Sequence, residues 1–266
     1  SLISLAQGDP TVFGHLLPPK AAMEEVVGAF AACVHNGYTA SAGMVEARDA
    51  VAARYSEENR RPLQAEDVFM TVGCSEALSH SFAALAVDGA NILLPKPGFP
   101  LYETLCHRHG IKYKFYELDP ENGWEIKLDD VRRLRDENTV AIVVNNPSNP
   151  CGAVFSEKHL RAICTTCEAL HLPIIADEVY EDVFFDKIRP FKSIAKFSGR
   201  VPVMAVSALS KRWLTPGWRI GWLVLHDYDH ILQAAGVKLA INNLCQVSLG
   251  PPTPIQAAIP GIFQAN

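Results

Sequence analysis

The 266 residues include 48% hydrophobic and 20% charged side chains, with a formal net charge of −5. That composition can bury a large core and excludes fibrous, low-complexity and disordered classes. The acidic balance offers no extended basic surface for nucleic acid or an anionic membrane, and no run approaches the roughly 20 apolar residues a membrane-spanning helix needs.

In chain order, the opening SLISLAQGDP has neither a charged leader region nor a long apolar core, so it reads as neither a secretory signal nor an anchor. Apolar spacing then predicts helices near 20–36 and 43–58. Beyond them, short apolar runs suit strands: VFMTV (68–72), NILLP (91–95), KYKFYE (112–117), VAIVVN (140–145), LPIIAD (172–177), VPVMAV (201–206) and RIGWLVL (219–225). Several are apolar throughout, as strands buried on both faces are. Helical stretches at 75–87, 100–109, 128–136 and 156–170 are long enough to cross over between them. The pattern predicts an α/β fold with a mostly parallel central sheet and helices on both faces. No Ser/Gly-rich linker or like-charge block divides the chain, so one main domain is expected, with the Pro-rich turn at 250–254 leaving the tail unassigned.

Seven cysteines, at 33, 74, 106, 151, 164, 167 and 245, are an odd number in a chain too large to need staples. A reducing, intracellular compartment fits, with the cytoplasm as default. Cys164 and Cys167 form a CxxC pair, but Leu160, Ile163 and Leu170 share their helical face, so core packing is expected rather than a metal or redox site. No second ligand pair lies at matching spacing, and His107 and His109 read as surface or packing residues.

In sheets of this kind ligands collect at the carboxyl ends of the strands. The first strand runs into Gly73-Cys74-Ser75-Glu76 and a helix, where free amides suit a phosphate, although Ser75 could equally be a plain cap. VAIVVN opens into a polar turn whose prolines need no special reason but whose three asparagines do. LPIIAD delivers Asp177, Glu178 and then Tyr180; Asp177 is either a capping acid or a carboxylate that keeps a pyridinium nitrogen protonated. Lys211 lies between the last two apolar runs, eight residues before Arg219, which opens the second, and a surface pair is the bland reading. As chemistry, a desolvated lysine beside cationic groups becomes a nucleophile toward an aldehyde, while the arginine can hold a phosphate and lower that lysine's pKa.

Seven ordered segments, LAQGDP (5–10), YTASAGMVEAR (38–48), GCSEA (73–77), PKPGFPLYET (95–104), NNPSNPCGAVFS (145–156), ADEVY (176–180) and SKRWLTPGWRIGW (210–222), resemble those of class I (fold type I) aminotransferases, most closely the tyrosine aminotransferase branch. The resemblance implies an N-terminal segment, 1–37, and a large domain, 38–266, that binds pyridoxal 5'-phosphate, with the small domain and its carboxylate-binding arginine missing after 266. It implies that Lys211 holds the cofactor as a Schiff base and moves the proton at the substrate's α-carbon. Asp177 would pair with the ring nitrogen, Asn149 and Tyr180 with the phenolic oxygen, and Phe99 would stack on the ring. Cys74, Ser75 and Arg219 would bind the phosphate, and Gly8, with Asn149, would lie by the substrate. Tyr38 would reach the phosphate of a neighbouring subunit, which implies a homodimer with shared active sites.

Two residues depart from the family pattern. Ala208 stands where many members have Ser or Gly, with Ser207 or Ser210 available to compensate, and Thr215 replaces a usual apolar residue. The activity implied is transfer of an amino group from an aromatic, tyrosine-like L-amino acid to a 2-oxo acid such as 2-oxoglutarate. Alanine or methionine as amino donor, a C–S lyase, and a non-catalytic dimerisation or ligand-sensing module are the alternatives.

Overall fold

The apolar runs become the strands of one sheet in the computed structural model, which describes residues 9, 11–183 and 190–265. Two helices lead, α1 (Lys20–Ala31) and α2 (Val45–Tyr55). There follow β1 (Val68–Thr71), α3 (Cys74–Ala83), β2 (Asn91–Lys96), α4 (Leu101–His109), β3 (Lys112–Asp119), β4 (Glu125–Ile126), α5 (Leu128–Leu134), β5 (Thr139–Asn145), α6 (Glu157–Ala169) and β6 (Ile174–Asp177). The chain continues through β7 (Val203–Ala208), α7 (Leu209–Arg212), β8 (Gly221–His226), α8 (Ile231–Ala234), α9 (Val237–Ser248) and α10 (Thr253–Gln264).

The eight strands lie in the order β1-β8-β7-β6-β5-β2-β3-β4. The run from β7 through β6, β5 and β2 to β3 is parallel, β8 is antiparallel to both its neighbours, and β4 is antiparallel to β3. Parallel neighbours need a crossover, supplied by α4 between β2 and β3 and by α6 between β5 and β6.

Continuous apolar strands follow from cover on both faces. Along β5, Ala141 and Val143 join a core with Leu78, Phe82, Leu105 and Ile241, while Ile142 and Val144 join the opposite core with Val51, Leu160, Ile163 and Ile259. Cys164 and Cys167 are buried in that second core, and among the described residues no cluster suited to a metal occurs.

The expected strands all form, with ends shifted by one or two residues, but some expectations need correction. The helix expected over 20–36 ends at Ala31, because Cys33 takes a positive φ of 56° that a helix cannot continue through. Lys211, for which no element was expected, lies on the short helix α7. The two-residue β4 is too short to carry a period. The tail forms α9, with Val237, Ile241 and Cys245 buried one turn apart, and α10, which starts just after the prolines; a proline in a first helical turn gives up no hydrogen bond.

One contact sets the close approach of β8 to the start of α3. A Cβ on Gly221 would stand 2.5 Å from the carbonyl carbon of Gly73 and 2.7 Å from the Cys74 nitrogen, both backbone atoms that cannot swing away. Gly221→Ala is therefore expected to cost about 1–3 kcal/mol in urea denaturation. Gly217→Ala, with nothing within 4 Å of the added methyl, should stay within about 0.5 kcal/mol of the parent.

Candidate active site at the carboxyl ends of the strands

A cavity of about 640 Å³ opens where β1, β6 and β7 end. Its first wall is the junction of β1 with α3. Gly73 turns the chain at φ 75° and no side chain caps α3, so the first-turn amides of Cys74 and Ser75 have no partner within the helix. Arg219 reaches the same turn, its Nη2 donating to the Val72 carbonyl at 3.2 Å and its Nη1 to the Pro216 carbonyl at 3.0 Å. A Cβ on Gly73 would lie 2.5 Å from that Nη2, so glycine is what lets the guanidinium close over the turn. A helix N-terminus beside a fixed guanidinium is a receptor for a dianion.

The second wall is a carboxylate at the end of β6. Asp177 is only 3% exposed. Its Oδ2 accepts from the Tyr102 hydroxyl at 2.6 Å, and its Oδ1 from the Val179 amide at 3.3 Å and the Cys74 thiol at 3.8 Å. Burial raises its pKa above the ordinary carboxylate value, and the hydrogen bonds from Tyr102, Val179 and Cys74 hold that rise back. Burial, and then the charge of Asp177, push the Cys74 thiol well up, which keeps it a protonated donor. Tyr102 also meets Phe99 edge to face, with ring centroids 5.8 Å apart, and so fixes an aromatic that lines the cavity.

The third wall carries the amine. Lys211 lies on α7 with its Nζ 5.7 Å from the centre of the Tyr180 ring. Burial lowers its pKa, and the charge of Asp9 opposes that. Desolvation, one of the two expected causes, is thus the one that lowers this amine's pKa, and the expected contribution of Arg219 is not among the causes that matter most. Asn149 closes the cavity from the turn after β5, its amide donating to Asn145 Oδ1 at 2.6 Å. Asn145 also donates to the Asp177 carbonyl at 3.0 Å, and Asn146 accepts from the Phe155 amide at 2.8 Å. Two of the three asparagines are therefore braces for the turn, and the third faces the cavity.

The cavity brings together Cys74, Ser75, Phe99, Asn149, Asp177, Tyr180, Lys211 and Arg219. Tyr38 is not among them and stands 92% exposed, while Gly8 lies outside the described residues. Ser210 lines the cavity, whereas Ser207 turns away to donate to Glu181 at 3.1 Å. Thr215 fits its buried position by donating its hydroxyl to the Leu209 carbonyl at 3.1 Å. Sequence reasoning passed over Asp9 and Tyr102; a signal for Tyr102 was its place three residues after Phe99, at the start of a helix.

Beside Asp177, Glu178 is 1% exposed, with one oxygen accepting from the Ile194 amide at 2.9 Å and the other without a hydrogen bond among the described residues. Burial pushes its pKa up to about 8 from an ordinary 4.5. A carboxyl that binds its proton more tightly folded than unfolded contributes most to stability below its unfolded pKa, and that contribution is lost as pH rises through the folded value. Stability in urea should therefore fall between about pH 5 and pH 9, and Glu178→Gln should flatten that fall by a few kcal/mol.

The family model for aminotransferase class I and II matches residues 1–264. The chain is 43% identical to tyrosine aminotransferase from Mus musculus over 264 residues, which is 99% of this chain and 58% of that one. It is 39% identical to an S-alkyl-thiohydroximate lyase from Arabidopsis thaliana, across 99% of this chain and 57% of that one. Among solved structures, tyrosine aminotransferase from Leishmania infantum superposes with a TM-score of 0.91 at 34% identity, covering 96% of this chain and 63% of that one. The chain thus spans about 58% of the length of the mouse relative.

Proposed function

We propose, from the premise that this chain belongs to the aminotransferase class I and II family, that its cavity holds pyridoxal 5'-phosphate and serves the transfer of an amino group from an L-amino acid to a 2-oxo acid. The observation that carries this is the gathering, in one cavity, of an amine with lowered pKa, a buried carboxylate and a dianion receptor. The cavity volume suits a cofactor and a small substrate. The Gly73 cradle under Arg219 and the open amides of α3 suit a phosphate, and Asp177 suits a protonated ring nitrogen.

When bound, the cofactor supplies an electron-withdrawing ring that takes up the charge left when a proton leaves the substrate's α-carbon. The chain's own residues do the rest. Arg219 and the amides of Cys74 and Ser75 bind the phosphate, with the Ser210 hydroxyl available where Ala208 offers none. Phe99 covers one face of the ring, and Asn149 and Tyr180 donate to its phenolic oxygen. Asp177 holds the proton on the ring nitrogen, a cation that in turn favours the ionised carboxylate against its raised pKa. Lys211, whose burial favours the neutral amine, is both the attachment point and the base that accepts and returns the α-proton.

An aromatic, tyrosine-like donor is supported by likeness to the mouse and Leishmania tyrosine aminotransferases, and an acceptor such as 2-oxoglutarate completes the proposal. Likeness to the Arabidopsis lyase favours a second reading, cleavage of a C–S bond by the same buried groups. Residues 1–37 as a leading segment and 38–266 as the cofactor-binding domain belong to the proposal, as does a homodimer in which Tyr38 reaches the neighbour's phosphate. The exposure of Tyr38, Val12, Phe13, Leu17 and Val34 supports that dimer. Seven free cysteines support a reducing compartment such as the cytoplasm.

Titration of the chain with pyridoxal phosphate should give a visible absorbance band that Lys211→Ala abolishes and that tyrosine bleaches. Regeneration of the band by 2-oxoglutarate would support amino transfer, whereas release of a thiol from a cysteine conjugate without that regeneration would favour the lyase. Arg219→Gln should weaken cofactor binding about 10–100-fold, the loss of a charge-assisted contact. A band that survives Lys211→Ala contradicts the assignment of the lysine.

A further inference from the structure

The turn that follows β6 carries two acids that do not line the cavity. Its backbone is closed by Glu181 N–H to the Glu178 carbonyl at 2.8 Å and by Val183 N–H to the Tyr180 carbonyl at 2.9 Å, with Asp182 in the left-handed region at φ 59°. Glu181 is 5% exposed. It accepts from the Tyr55 hydroxyl at the end of α2 and from the Ser207 hydroxyl on β7. Asp182 pairs with Arg54 of α2 at 3.2 Å and with Arg212, the residue after Lys211. The Arg54 guanidinium also lies against the stacked rings of Trp213 and Phe263, 5.6 and 5.2 Å from their centres.

The geometry points to Glu181 and Asp182 as positioning residues that fix the Tyr180 phenol against the Lys211 amine, an inference that rests on the function proposed above. Tyr180 is the residue before Glu181. Ser207 and Arg212 bracket Lys211 from either side, and Tyr55 and Arg54 tie both segments to α2. Two neighbouring acids thus grip the Tyr180 turn and the Lys211 segment at once, which accounts for a polar cluster where apolar packing would be at least as stable. Neither acid touches the cavity, so their effect on chemistry passes through Tyr180 and Lys211.

The test uses the cofactor-free chain. The apparent pKa of Lys211 is read from the pH dependence of its acetylation by acetic anhydride, followed by peptide mass spectrometry with exposed Lys20 as internal reference. Glu181→Leu should raise that pKa by about half a unit, roughly a threefold loss of neutral amine at fixed pH, because the loosened segment lets water reach the amine. Glu181→Gln, which still accepts from Tyr55 and Ser207, should restore the parent value. In a Tyr180→Ala background Glu181→Leu should add nothing. Asp182→Asn, which weakens the ion pairs with Arg54 and Arg212, and Ser207→Ala, which removes one contact to Glu181, give the same readout should Glu181→Leu fail to fold. An unchanged Lys211 pKa in folded variants, no rescue by glutamine, or an equal effect without Tyr180 would overturn the inference. Failure of the parent chain to develop a cofactor band would instead sink the proposed function, since this readout needs no cofactor.

Discussion

A carboxylate at the end of a central strand, almost wholly removed from water, is the constraint around which this site is arranged. Asp177 lies on β6, between β5 and β7, under cover on both faces. An uncompensated charge there would cost several kcal/mol. The protein answers with three donors drawn from three places: the Tyr102 hydroxyl from α4, the Cys74 thiol from α3 and the Val179 amide from its own turn. Each donor is also a structural tie, so the groups that satisfy the acid shape the cavity. Its pKa still sits above the ordinary value, so the site favours a cation there.

The strand order then decides what can share that cavity. β8 runs antiparallel between β1 and β7, which brings the start of α3 and the segment bearing Lys211 to the same edge although they are distant in sequence. Contact of Gly221 with the Gly73–Cys74 backbone keeps β8 close enough for Arg219 to lie over Gly73. The start of α3, with Arg219 over it, and the helix bearing Lys211 thus meet at one end of the sheet. On the proposed reading, the separation of the phosphate-binding turn from Lys211 would follow from the packing of β8 between β1 and β7.

Much of this was legible in the residues. Strands buried on both faces read as unbroken apolar runs, and the polar residues that end them, Asp177 and the Gly73–Ser75 turn, stood out because they interrupt that pattern. Lys211 and Arg219 stood out for the same reason. What stayed hidden depends on contacts that no local pattern encodes. Tyr102 reads as one aromatic among many on a helix, and only the fold aims its hydroxyl at Asp177. Ser207 and Ser210 are equivalent in sequence, yet one faces Glu181 and the other the cavity.

The central claim is that one lysine, fixed at the edge of this sheet, is the attachment point for pyridoxal phosphate. The most direct measurement is borohydride reduction of the chain mixed with the cofactor, followed by proteolysis and mass spectrometry of every lysine-containing peptide. The account predicts stoichiometric pyridoxyl mass on Lys211 and only trace labelling elsewhere. Label spread over surface lysines, or concentrated on a lysine other than Lys211, would contradict it.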